Sequence, residues 1–161
     1  REGHLAMVQL LLEEGLDIDA MNEARKTALH LAAWKGHRDV VSFLLESGAE
    51  MLIEDHRLRT ALFTAVVSRD VGMVRLVLKH VDDKLKRVAE RLKRQYEKGA
   101  LLLHRDGGGR TALWYAVAEG HADMCRLLIQ EGEADFRGDE MLKLAKAEGH
   151  RDCIELIKVS G

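Results

Sequence analysis

The chain has 161 residues, 47% of them apolar but only 4% aromatic, and it contains no proline. That length supports a substantial core, and a proline-free chain rich in Leu, Ala, Val, Glu, Lys and Arg favours helices over strands. With 25 Lys and Arg against 27 Asp and Glu, a net charge of -2 excludes a chain devoted as a whole to nucleic acid or an anionic membrane. No apolar run approaches the ~18 residues of a membrane helix, the opening REGHLAMVQLLLEEG does not read as a secretory signal, and two cysteines make no disulfide framework. The expectation is a mostly helical, soluble protein of a reducing compartment, the cytoplasm or else the nucleus.

In chain order, residues 1–22 read as the tail of a unit whose first half is missing. Leu5, Met7, Val8 and Leu11 lack the helix they would pack on, so the sequence is expected to be a fragment of a larger protein. A full unit follows at 23–55. Thr27 can cap a first helix by offering its hydroxyl to a free backbone N–H, and Gly36 can end that helix because glycine accepts a left-handed conformation. A second helix then presents Val40, Val41, Phe43, Leu44 and Leu45, an apolar face too wide for a helix pair standing alone.

The segment KTALHLAAWKGHRDVVSFLL returns as RTALFTAVVSRDVGMVRLVL, as RTALWYAVAEGHADMCRLLI and, degenerate, as EMLKLAKAEGHRDCIELI. Gly3 and Gly36, Gly15 and Gly48, Thr27 and Thr60, and Gly99 and Gly132 are each 33 residues apart, with Thr60 and Thr111 as further candidate caps. A fixed period of this length predicts an all-α, helix-turn-helix solenoid of about five repeats, in which each unit buries its face on a neighbour. The expected divisions are 1–22, 23–55, 56–106, 107–135 and a capping repeat at 136–161. Leu29, Leu44, Leu62 and Leu113 should be buried between repeats. In the last unit Leu142 and Ala145 form a sparse stripe on an otherwise polar helix, as a cap requires.

The period is interrupted at about 79–96, where KHVDDKLKRVAERLKRQY adds 18 residues, or five helical turns, with seven basic against three acidic side chains. Val74, Leu78, Val81, Leu85, Val88, Leu92 and Tyr96 continue one stripe. Two courses are open: a straight extension of the preceding helix, or a break at Asp82 or Asp83 that caps a new helix ending at Gly99, the latter being preferred. The charges serve either as a solvated face or as a contact surface made by Lys84, Lys86, Arg87, Arg91, Lys93 and Arg94.

These residues resemble the ankyrin repeat family, whose signature joins Thr-Pro-Leu-His to a later Gly-His and a Gly-Ala after the second helix. Thr27, Leu29, His30, Ala32, Ala33, Gly36, His37, Leu44, Leu45, Gly48 and Ala49 fit it. Alanine replaces the usual proline at Ala28, Ala61 and Ala112. The family's turn glycine survives only as Gly109, with Arg25 and Leu58 at the corresponding places. The resemblance implies a non-enzymatic interaction module that needs no cofactor and binds a protein or peptide through hairpin tips and first helices. Carried onto this chain, those positions are Glu23, Arg25, Lys26, Trp34 and Lys35, then His56, Arg57, Arg59 and Ser68, then Gly108, Arg110 and Glu119. They are largely basic, which suits an acidic partner, and Trp34 is either a contact or a packing residue.

Two other readings stand beside this one: a regulatory domain holding a nucleotide or small anion near Trp34 or Trp114, and a structural spacer. Little else offers chemistry. His121 with Cys125 and His150 with Cys153 have spacings that place two ligands on one helix face, yet the cysteines align with Val41 and Val40 and read as packing. DGGGRT at 106–111 lacks the Gly-Lys-Ser/Thr of a phosphate loop and reads as a hairpin turn. No hydrolase or zinc signature occurs, and neither a metal nor a nucleic-acid partner is expected.

Overall fold

The computed structural model describes residues 2–87, 98–132 and 138–160, with side chains described for 4–81, 99–132 and 138–159. The described residues are helices joined by turns, without strands, and among them no helix is long and apolar enough to cross a membrane. They divide into two compact units, Arg1–His80 and Val81–Gly161.

The first unit holds α1 (Glu2–Glu13), α2 (Ala28–Lys35), α3 (Arg38–Glu46), α4 (Ala61–Val67) and the start of α5 (Val71–Arg87). Helix α2 pairs with α3 in a hairpin, α2 also packs on the next first helix, α4, and α1 packs on the next second helix, α3. Like stacks on like, which is what a 33-residue repeat with one apolar face per helix should do. Leu29, Leu44 and Leu62 are buried as expected, together with Val40, Val41 and Leu45, while Phe43 is half-buried.

The second unit holds α6 (Lys98–Leu103), α7 (Ala112–Ala118), α8 (Ala122–Glu131), α9 (Gly138–Glu148) and α10 (Arg151–Ser160). Here α7 pairs with α8 and α9 with α10, α7 stacks on α9, α8 on α10, and α6 lies against α7. Leu113 is buried. In the terminal pair the buried residues of α9 are Met141 and Ala145, with Leu142 only half-buried. Ala145 is thus buried as the sequence implied, and Met141 rather than Leu142 is its buried companion.

The preferred break at the insertion is overturned. Helix α5 runs through Asp82 and Asp83 to Arg87, and Gly99 lies inside α6 rather than ending a helix. Val74, Leu78 and Val81, which lead into the aspartates, are all buried, and the course of the chain from 88 to 97 lies outside the described residues. Of the contact surface assigned to the insertion, the side chains of Lys84, Lys86 and Arg87, and all of Arg91, Lys93 and Arg94, lie outside the described residues.

The turns repeat as closely as the helices. Gly36, Gly120 and Gly149 adopt φ of 76°, 71° and 76°, and the corresponding residue of the intervening repeat, Arg69, adopts 63°. Glycine makes that conformation cheap, whereas a Cβ costs about 1–2 kcal/mol. Arg69 carries that strain because the hairpin must reverse at the same place in every copy. Behind it, Arg38 of α3 grips Asp70 through two hydrogen bonds, one from Nε at 2.9 Å. A Cβ on Gly72 would run into that guanidinium, so Gly72 leaves room for the ion pair.

Candidate functional site

The hairpin tips are built on one polar side chain each. Asp55 Oδ1 accepts the N–H groups of Arg57 (2.8 Å) and Arg59 (3.1 Å), while Oδ2 accepts Arg59 Nε (3.1 Å) and Nη2 (2.8 Å). Asp106 repeats the arrangement with Gly108 N–H and Arg110 N–H (both 2.9 Å), and with Arg110 Nε (3.1 Å) and Nη2 (2.8 Å). It adds a bond from the Tyr115 hydroxyl at 2.7 Å. Asn22 makes the same two backbone contacts, to Ala24 and Lys26, with its amide oxygen. A short side chain that satisfies the N–H groups two and four residues on closes a tight turn in the Asx manner, and the residue between those two, Arg25, Leu58 or Gly109, sits at φ of 57°, 56° or 75°.

The electrostatics follow from this geometry. Burial works against the Asp106 carboxylate, but hydrogen bonds from Arg110, from the Tyr115 hydroxyl and from two backbone N–H groups outweigh it and bring the pKa down to about 2. Asp55 is lowered in the same way: burial opposes its charge, and the Arg59 guanidinium with the Arg57 and Arg59 N–H groups prevails. Neither carboxylate was legible as a site residue from the family pattern. The available signal was an acid four residues before an arginine at both tips, Asp55 to Arg59 and Asp106 to Arg110, at matching places in the period.

The residues expected to meet a partner therefore separate into two groups. Arg59 and Arg110 are committed to the tip carboxylates, and the Arg110 guanidinium also lies 5.2 Å from the Trp114 ring centre and 5.0 Å from that of Tyr115. His56 donates from Nδ1 to the Ala24 carbonyl at 3.0 Å, joining one tip to the next, and Ser68 donates to the Ala65 carbonyl at 2.7 Å. Gly108 supplies a backbone donor to Asp106. Glu23, Arg25, Lys35, Arg57 and Glu119 are exposed.

Trp34, at the end of α2, is 46% exposed. Lys35 Nζ stands 4.5 Å and Lys26 Nζ 5.4 Å from the centre of its ring, cation–π distances. Leu31 of α2 and Val67 of α4, on two helices that pack together, are exposed as well. In the first unit the first helices thus present three apolar side chains to water, with two ammonium groups around the largest. Among the described residues no group of three or more His, Cys, Asp or Glu could hold a metal ion. The His–Cys spacings do not converge: His150 Nε2 donates to the Ala118 carbonyl at 3.1 Å, and the two cysteines face each other instead, Sγ to Sγ 3.7 Å.

Helix pairs closed by tight polar tips, stacked first helix on first helix and second on second, define a helical repeat protein. The ankyrin repeat profile, in its three-copy form, matches residues 1–55 and 85–160, and the chain belongs to that family. Ankyrin repeats are non-enzymatic modules that generally mediate protein–protein interaction. The chain is similar to the potassium channel AKT2/3 of Arabidopsis thaliana (30% identity, 81% of this chain, 18% of the channel). It is also similar to the E3 ubiquitin-protein ligase XBAT33 of the same plant (36% identity, 80% of this chain, 27% of the ligase). A third relative is the probable 26S proteasome regulatory subunit p28 of Saccharomyces cerevisiae (30% identity, 83% of this chain, 52% of the subunit). The chain spans about a fifth to a half of the length of these relatives.

Proposed function

We propose that this chain binds a protein or peptide partner through its hairpin tips and first helices, and that in the first unit the contact centres on Trp34. The observation that carries the reading is an indole 46% exposed between two lysines. Removing so large an apolar surface from water is worth more than any other contact available there. Leu31 and Val67 extend the apolar strip, Lys26 and Lys35 flank the indole, and Arg25 and Arg57 are exposed at the tips. The partner chemistry this fits is an acidic segment that carries an apolar side chain. Arg59 and Arg110 hold the tips in shape, and the insertion remains a second candidate contact.

A small-anion site is served less well, because Arg59 and Arg110 already pair with Asp55 and Asp106. The test is an array of acidic peptides with and without one aromatic or branched residue, titrated against the parent, Trp34→Ala and Lys26→Glu/Lys35→Glu. Trp34→Ala should weaken binding by about tenfold or more. The double charge reversal should remove the salt dependence of what remains, since exposed charges are screened over about 8 Å at physiological ionic strength. Binding indifferent to both variants would move the contact off this surface.

A further inference from the structure

The second unit contains a chemical feature that the binding surface does not use. Cys125 of α8 and Cys153 of α10 are both fully buried, unbonded thiols, on adjacent second helices that pack together. Their sulfurs are 3.7 Å apart, van der Waals contact, although the residues are 28 positions apart in sequence. An internal copy of the repeat fills the corresponding places with Val40 and Val41, both buried, so packing alone does not call for sulfur. Two thiols on opposite sides of one helix–helix contact are one small shift short of a covalent cross-link.

We propose that Cys125 and Cys153 form a reversible disulfide when the protein meets a peroxide, locking α10 onto α8. Cys153 is fully buried but borders, with Gly120, Gly149, His150, Arg151 and Asp152, an open depression at the two turns, so peroxide reaches its sulfur on local opening of those turns. The Cys153 thiolate attacks one oxygen of hydrogen peroxide, the O–O bond breaks, and hydroxide leaves with the bonding pair. The Cys125 thiolate then attacks the resulting sulfenic sulfur of Cys153, forming the S–S bond and expelling a second hydroxide. The two thiol protons convert both hydroxides to water, so two thiols and one peroxide become one disulfide and two waters. Burial pushes both thiols up in pKa, with the neighbouring sulfur adding to this at Cys125. Scarce thiolate therefore makes the first step slow compared with an exposed thiol, while the second needs no encounter because its partner is already in contact.

The test treats the reduced, folded chain with hydrogen peroxide, alkylates the remaining thiols and maps the peptides, with amide hydrogen exchange recorded before and after. Both thiols should be lost together into one intramolecular Cys125–Cys153 link that dithiothreitol reverses. Amides of α8 and α10 should exchange at least about tenfold more slowly in the oxidised form. The double variant Cys125→Val/Cys153→Val, which copies the internal valines, should fold like the parent and show no exchange change with peroxide. Cys153 advancing to sulfinic acid while Cys125 stays free, cross-linking only between chains, or a disulfide that leaves exchange unchanged would each overturn the proposal.

Discussion

The helix starts at Thr27–His30 and Thr60–Phe63 have one backbone and two chemistries. Thr27 sits at φ -81° and ψ 170°, Thr60 at -81° and 172°. In the first, His30 Nε2 donates to the Arg59 carbonyl at 3.0 Å, which leaves Nδ1 to accept from the Thr27 hydroxyl at 2.9 Å and the Thr27 N–H at 3.3 Å. In the second, Phe63 fills the same position, fully buried, and the buried Thr60 hydroxyl has no hydrogen-bond partner. A third start, at Thr111, behaves as a simple cap, its hydroxyl accepting from Trp114 N–H at 3.3 Å. The expected threonine cap thus forms at Thr111 and, as a reciprocal capping box with His30, at Thr27, and is missing at Thr60. Three side-chain solutions on one backbone show that burial of the following leucine, not the cap bond, sets the geometry; the bond adjusts stability.

The comparison breaks first if the shared leucine is removed. Leu29→Ala and Leu62→Ala should each cost about 2–5 kcal/mol in chemical denaturation, through lost contacts and a cavity, with Leu44→Ala in the same range. A Leu62→Ala midpoint equal to the parent's would show that the cap, after all, dominates.

Acid should separate the two starts next. Burial lowers the His30 pKa, opposed by its bond to the Arg59 carbonyl and by Asp55, so the unfolded chain binds a proton more readily than the folded one. The His30 contribution is complete above about pH 6.5 and declines as pH falls through the folded pKa. His30→Phe, copying the Phe63 solution, should abolish this part of the pH dependence while costing about 1–3 kcal/mol at neutral pH, because the Arg59 carbonyl and the Thr27 donors lose their partner. At the second unit's tip a separate acid loss is expected. Asp106, at about 2 when folded, contributes on the order of 2 kcal/mol that is present above about pH 4 and lost as pH falls toward 2. Asp106→Asn should flatten that limb.

Paired hydroxyl deletions sharpen the contrast. Thr27→Val should cost about 1 kcal/mol, since it removes a donor to His30, whereas Thr60→Val should be neutral or slightly stabilising, since it removes a buried hydroxyl that bonds to nothing. Equal losses at the two sites would mean that the Thr60 hydroxyl has a partner in solution. The smallest effect lies just before the threonines, where Arg25 and Leu58 hold positive φ. Leu58→Gly should stabilise by about 0.5 kcal/mol, relief of the left-handed strain being partly offset by the freer unfolded chain.

Much of the fold was legible because the period repeats a physical need. Thr27, Thr60 and Thr111 mark first helices, Gly36, Gly120 and Gly149 mark turns, and the buried leucines fall where the stacking face must lie. The tips were less legible. Family resemblance points at Arg59 and Arg110 as surface, and the one hint that their guanidiniums fold back onto Asp55 and Asp106 is the acid four residues before each arginine. Asp82 and Asp83 read as caps because aspartate is a good cap in isolation, yet α5 runs through both.

By itself, then, the sequence determined what is local and periodic: helix, turn, helix, and which face of each must be covered. The tertiary structure alone decided what depends on contacts between copies. It left Trp34 in water, paired Asp106 with Tyr115 from the following helix, and set Cys125 against Cys153 across two second helices. Those outcomes turn on distances of a few ångströms between side chains, set for the cysteines by residues 28 positions apart, and a one-dimensional pattern carries no information at that scale until the helices are packed.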